Sequence, residues 1–205
     1  MAGSTRAALA RVEAKHGPID DFVAEQLDYK PGTLAQHFSA EQVDALALAI
    51  DNVQKGAALV VGDMTGVGKG RTVAGMLRYA LLHDMIPVMF TKEPKLYGDM
   101  FRDMNDIGLP EMLGREVRVL MTNAGESVPL DEAALEYKGH YDVWRNARDA
   151  AKEAGRRFEV PQPKRTGKFL TLSKAKVDAG MKAMLDRTPG KDKPYDMVFT
   201  TYDQM

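Results

Sequence analysis

The feature that most constrains this chain is a glycine-rich turn, Gly62-Asp63-Met64-Thr65-Gly66-Val67-Gly68-Lys69-Gly70-Arg71, set between an apolar run and a helical pattern. The run before it, Ala57-Ala58-Leu59-Val60-Val61, is short and continuously apolar, which predicts a strand covered on both faces. After it, Val73, Met76, Leu77, Ala80 and Leu81 recur at helical spacing and predict a helix from about Lys69 to His83 with those residues facing inward. A strand that hands over to a helix through glycines makes an anion site. The turn aims N–H groups inward, and the helix adds roughly half a positive charge at its N-terminus. Gly66 and Gly68 omit the Cβ that would hold oxygen atoms off, and Lys69 brings an ammonium to the β- and γ-phosphates. The pattern G-x-x-x-x-G-K-[ST] is not met in full, because its first glycine is Asp63 and its Ser/Thr is Gly70. Gly70 removes the hydroxyl that ordinarily holds Mg²⁺, so the ion must be held through water and an acidic residue elsewhere. Thr65 and Thr72 are weaker substitutes, and Thr72 is better placed to bond back to its own helix. The plainer reading of these residues is a tight turn with a solvated lysine; the context on both sides favours phosphate.

The rest of the chain alternates strands and helices. Three helical stretches come first: Ser4 to His16; the repeat of Ile19, Phe22, Val23 and Leu27, broken by Pro31-Gly32; and a helix from Ser39 to Gly56 with Val43, Leu46, Ile50 and Val53 on one face. Beyond the glycine turn, strands are expected at Ile86–Thr91, Val117–Met121 and Met197–Thr200, with a helix running from Pro94 to near Gly108. This alternation argues for right-handed βαβ units and a parallel sheet. With 205 residues, 44% hydrophobic and 28% charged, the chain can bury a sizeable core. It has no cysteine, which excludes disulfides, thiolate metal sites and a cysteine nucleophile and suits a reducing cytoplasm. His16, His37, His83 and His140 lack ligand spacing, so no transition-metal site is expected. No apolar run is long enough to span a membrane, and no membrane partner is expected.

Net charge is only -1, but its distribution is uneven. From Lys138 to Lys193 there are 15 Lys/Arg against 7 Asp/Glu, in a stretch expected to be helical at Asp142–Ala154 and Ser173–Leu185 and looped at Pro161–Pro163. Arg145, Arg148 and Lys152 share a helical face that would track phosphates, each neutralised phosphate adding salt-dependent affinity. Asp149 and Glu153 partly offset that face, and a merely solvated surface remains the rival reading.

Three stretches carry a family resemblance. Gly62 to Arg71 resembles motif I of the strawberry notch-like proteins, a branch of superfamily 2 helicases, which shares the leading Asp63 and the Gly70-Arg71 pair. Leu96, Asp99, Arg102, Asp103, Asp106, Ile107 and Gly108 resemble the helix after that family's second strand, and Val198-Phe199-Thr200-Thr201-Tyr202 its Thr-Tyr strand. The resemblance runs from Phe38 to Met205 and is weakest in the basic stretch. It implies an α/β, RecA-like P-loop NTPase, a three-layer sandwich with a parallel sheet, incomplete here and preceded by N-terminal helices. Residues 1–56 would form the helical segment and 57–205 a partial ATP-binding lobe, with a basic insert at about 123–194. ATP and Mg²⁺ are the implied cofactors, with Asp63, Thr65, Gly66, Val67, Gly68, Lys69, Gly70 and Arg71 around the phosphates and Lys69 as the catalytic cation. Gln42 falls where a Q-motif glutamine would read adenine, although Ser39-Ala40-Glu41-Gln42 also fits a capping box. Lys92, Thr201 and Tyr202 match positions that face nucleic acid in such motors. Implied partners are nucleic acid, DNA foremost, and the remainder of a longer polypeptide bearing a second RecA-like lobe.

A catalytic acid pair is missing from its expected place. Asp131-Glu132-Ala133-Ala134 imitates an acidic box, but Pro129 and the lack of a preceding apolar run make Asp131 an N-cap instead. The chain is therefore expected to be a fragment that binds nucleotide weakly and hardly turns it over. Two other functions stay open: a degenerate P-loop module that binds nucleic acid or protein without catalysis, and a small P-loop kinase, against which Gly70 counts.

Overall fold

The computed structural model describes residues 2–62, 68–186 and 194–204. Helices α1 (Ala2–His16), α2 (Ile19–Gln26) and α3 (Ala40–Gln54) pack on one another through Val12, Phe22, Val23, Leu27, Val43, Leu46 and Ile50. Val53, expected on the buried face of α3, is 40% exposed in the last turn of that helix. The side chain of Asp51, 6% exposed, ties α1 to α3 by accepting from Lys15 Nζ at 3.0 Å, His16 Nε2 at 3.2 Å and Lys55. Burial alone would raise the Asp51 pKa, but those hydrogen bonds hold it well below the usual carboxylate range.

Helix α4 (Lys69–Leu82) lies between α3 and α5 (Leu96–Asp106). Its buried face is Thr72, Ala74, Gly75, Leu77, Arg78 and Tyr79, and Val73 is 41% exposed, contrary to its expected inward position. Two features rotate the helix this way. Gly75 lacks the Cβ that would stand 2.7 Å from Leu46 Cδ2, so α3 comes close. Arg78 turns inward to satisfy two helix ends, donating to Leu27 O at 2.6 Å, Asp28 O at 3.2 Å and Gly108 O at 3.0 Å. Its guanidinium also lies 4.1 Å from the centre of the Tyr29 ring. The carbonyls that helices leave unpaired at their C-termini thus converge on one buried cation. Burial pushes the Tyr29 hydroxyl up to about 12, the nearby Arg78 opposing it.

The main sheet contains β1 (Val88–Thr91), β5 (Met197–Thr201) and β2 (Val119–Met121), in that spatial order and all parallel. The strand latest in sequence is central and fully buried. Side chains alternate along it: Phe199 meets Tyr97 and Phe101 of α5, at ring separations of 5.3 and 5.8 Å. The opposite face, through Leu120 of β2, receives α8 (Lys174–Leu185), where a Cβ on Gly180 would stand 2.7 Å from Leu120 Cδ1. Helices on both faces of a parallel sheet make a three-layer α/β fold. Asp196, 3% exposed, sets the start of β5 by accepting from Arg115 Nη1 and Nη2 at 2.6 Å each and from Arg118 N at 2.8 Å.

The basic excursion is anchored by an unexpected antiparallel pair, β3 (Ser127–Pro129) with β4 (Phe169–Thr171). From it rises α7 (Glu132–Glu153), nearly three turns longer at its start than expected and capped by Asp131, which accepts from Ala134 N at 2.9 Å. The short α6 (Leu109–Leu113) joins α5 to the strand β2. No helix among the described residues is long and apolar enough to cross a membrane.

One expectation fails outright. Residues 57–61 form no strand among the described residues, and Val60 is 91% exposed. An apolar run signals what would gain from burial, but a strand also needs a neighbour to take its N–H and C=O groups. In the described sheet, segments 88–91, 119–121 and 197–201 pair with one another and none of them pairs with 57–61.

Candidate nucleotide site

The site is built on the N-terminus of α4. Gly68 is the N-cap, with φ 72° and ψ 35°, a left-handed conformation suited to glycine. Lys69 and Gly70 open the helix, and Arg71 N bonds back to Gly68 O at 3.0 Å. Gly68 is exposed and Lys69 and Gly70 are half-buried. Asp63, Thr65, Gly66 and Val67 lie outside the described residues.

Gln42 holds this corner from α3, by way of two local rules at once. The capping box forms: Ser39 N donates to Gln42 Oε1 at 3.0 Å and Gln42 N to Ser39 Oγ at 3.4 Å. That leaves the amide nitrogen, and Gln42 Nε2 donates to Gly68 O at 3.2 Å. The left-handed conformation favours glycine at 68, and a Cβ there would also push the Gln42 amide aside. Gln42 therefore lies against the loop, 9% exposed.

On the other flank stands α5. Arg71 Nη2 pairs with Asp106 Oδ2 at 2.6 Å. Asp103, one turn earlier, lies against Gly70: a Cβ there would overlap its Oδ2 and stand 3.3 Å from its Cγ. Burial raises the Asp103 pKa, with Arg102 and Arg71 opposing. In the sequence, Asp103 and Asp106 stand out only as family matches, with no place in the site. A signal was available in the spacing of Asp99, Asp103 and Asp106, which puts carboxylates on one face of a helix. What it lacked was the knowledge that this face meets Gly70 and Arg71.

The described corner fits a triphosphate and its cation. A helix N-terminus and a lysine supply positive character, and the Asp103 carboxylate lies beside Gly70, the position of the absent hydroxyl. Thr72, the other hydroxyl considered for Mg²⁺, is 6% exposed on the buried face of α4.

The remaining candidates fall in two places. Lys92 and Thr201 are brought together at the carboxyl end of the sheet by the Thr91–Thr201 register, with Tyr202 stacked on Phe90 at 6.4 Å. Thr201 is 2% exposed and accepts from Asn123 Nδ2 at 3.0 Å, whereas Lys92 and Tyr202 are exposed. Arg145, Arg148 and Lys152 are exposed on α7, apart from that end, and the two arginines have acidic partners in Asp142 at 3.1 Å and Asp149 at 2.7 Å. Asp131 engages both carboxylate oxygens, the second accepting from Lys168 N at 3.0 Å, as befits a cap.

No match was found among curated proteins or among solved structures. A family profile described as P-loop containing NTP hydrolase pore-1 matches residues 12–130, more than half of the chain. That stretch takes in the end of α1, helices α2 and α3 with Gln42, the glycine turn and the whole of α5, and stops just before α7 begins. With its parallel α/β core and glycine-capped helix, the chain belongs to the family of P-loop containing NTP hydrolase pore-1 proteins.

Proposed function

We propose that the chain is the ATP-gripping part of the first lobe of a superfamily 2 motor of the strawberry notch-like kind, in which hydrolysis drives movement on, or remodelling of, DNA. The observation that carries this reading is that α4 is tied at both ends. Gln42 of α3 holds the carbonyl at its N-cap, and Arg78 near its other end holds the termini of α2 and α5. A change at the phosphates that moves α4 is therefore transmitted to the helices around it, as a motor requires.

The chain's own residues bind and orient. Amides at the start of α4 face the phosphate oxygens, Lys69 places a point charge, and Gln42 fixes the turn that presents both. A Mg²⁺ ion held with the phosphates at the start of α4 would offset the negative charge that develops on them. Asp131 is committed to capping α7, so it does not activate water, and turnover by this chain alone is expected to be slow. For DNA, Lys92 and Tyr202 at the sheet end and the exposed stripe Arg145, Arg148 and Lys152 are the proposed contacts. Exposed Val88 and Phe90 on β1 suit the docking of further polypeptide, including a second lobe.

Binding of a labelled DNA oligonucleotide at low and moderate salt tests the nucleic-acid half of this reading. Affinity is expected to fall steeply with salt, and Arg145→Ala with Arg148→Ala to weaken it and flatten the salt slope by about two. Salt-independent binding, or a double variant that binds as well as the parent, would rule out the stripe as a DNA contact.

A further inference from the structure

Gly70 stands where phosphate-binding loops ordinarily carry the hydroxyl that holds Mg²⁺, and its surroundings show what takes that place. Asp103 reaches across from α5 so closely that its Oδ2 lies in the space a side chain at position 70 would enter. The two features are coupled: the carboxylate sits where it does because position 70 is glycine, and a serine there would push it aside. The Asp103 side chain is 17% exposed, and Arg102 Nη2 pairs with its other oxygen, Oδ1, only at 4.0 Å. Next along α5, Asp106 is engaged with Arg71, which leaves Asp103 as the carboxylate facing the start of α4. Mg²⁺ is a hard cation that takes oxygen ligands and is commonly held through one or two carboxylates together with phosphates.

We propose that Asp103 supplies the cation ligand of this site, directly or through a bound water, in place of the hydroxyl absent at Gly70. This rests on the nucleotide-binding reading of the α4 N-terminus and adds to it a residue from a different helix. A hydroxyl at the usual position travels with the loop itself. A carboxylate on α5 makes retention of the cation sensitive to the spacing between α4 and α5. It also makes the protein choosier between nucleotide with and without cation, since a bare triphosphate would face an uncompensated carboxylate.

The test measures binding of a fluorescent, non-hydrolysable ATP analogue with Mg²⁺ and with EDTA. For the parent chain, Mg²⁺ should tighten binding. In Asp103→Asn, which keeps the shape, that tightening should shrink by about 10- to 100-fold, the usual cost of disturbing a metal's ligand set. Binding in EDTA should hold or improve. Gly70→Ser alone should lose the Mg²⁺ effect by colliding with Asp103, whereas Gly70→Ser combined with Asp103→Ala should recover it through the restored hydroxyl. Circular dichroism of each variant verifies folding. If Asp103→Asn keeps the full Mg²⁺ effect, the assignment of Asp103 is overturned and the nucleotide site stands. If the parent binds no analogue under either condition, the nucleotide reading itself fails and takes this assignment with it.

Discussion

Gly68 does three things that no other residue type would do together. It adopts a left-handed conformation, it begins α4, and it leaves room for the Gln42 amide. A left-handed backbone costs a residue with a Cβ about 1–2 kcal/mol, and at Gly68 displacement of Gln42 adds to that. Gly114 provides the control, being left-handed at φ 64° with open space, nothing within 4 Å, where a Cβ would stand. Gly68→Ala is therefore expected to lower the melting temperature more than Gly114→Ala and also to weaken nucleotide binding, an effect Gly114→Ala should lack. Equal melting shifts with equal nucleotide affinity would show that the contact with Gln42 has no consequence.

At the scale of elements, caps and punctuation were legible and neighbours were not. Ser39, Asp131 and Ser173 each cap the helix that follows, as their types and positions imply. The strands at 88–91, 119–121 and 197–201 lie within or beside the apolar runs that announced them. Residues 57–61 carry the same signal and form no strand, because an apolar run does not specify a partner. Val73 went astray for a related reason: helical periodicity is indifferent to a polar residue that turns inward, and Arg78 sets the rotation of α4. The pair of β3 and β4 joins residues some forty apart, a separation no local pattern reports. The tie between α1 and α3 at Asp51 is likewise long-range, and it is testable by pH. The Asp51 carboxyl titrates lower in the folded chain than its unfolded value of about 4, so its stabilisation is fully present above about pH 4 and is lost as pH falls through the lower, folded value. Thermal melts at about pH 6 and about pH 3 should show a larger acid loss in the parent than in Asp51→Asn. An equal loss in both would mean that other carboxylates set the acid limit.

For the molecule as a whole, the legible part of the site was the part that lies in one stretch of chain. Lys69, Gly68 and Gly70 could be read as a phosphate-binding turn because their spacing alone carries the chemistry. Gln42 could be read as a cap or as a nucleotide contact; it caps α3 and also donates to the carbonyl of Gly68. Asp103 and Asp106 became part of the corner only through the packing of α4 on α5. The proposed nucleotide thus sits where α3, α4 and α5 meet, gripped first by the start of α4. The decisive comparison is the affinity of an ATP analogue for the parent and for Lys69→Ala, with folding of both verified. Removing the ammonium is expected to weaken binding at least about tenfold, the equivalent of roughly 1.4 kcal/mol. Equal affinity in the two proteins would contradict this, because the triphosphate would then lie somewhere other than the start of α4.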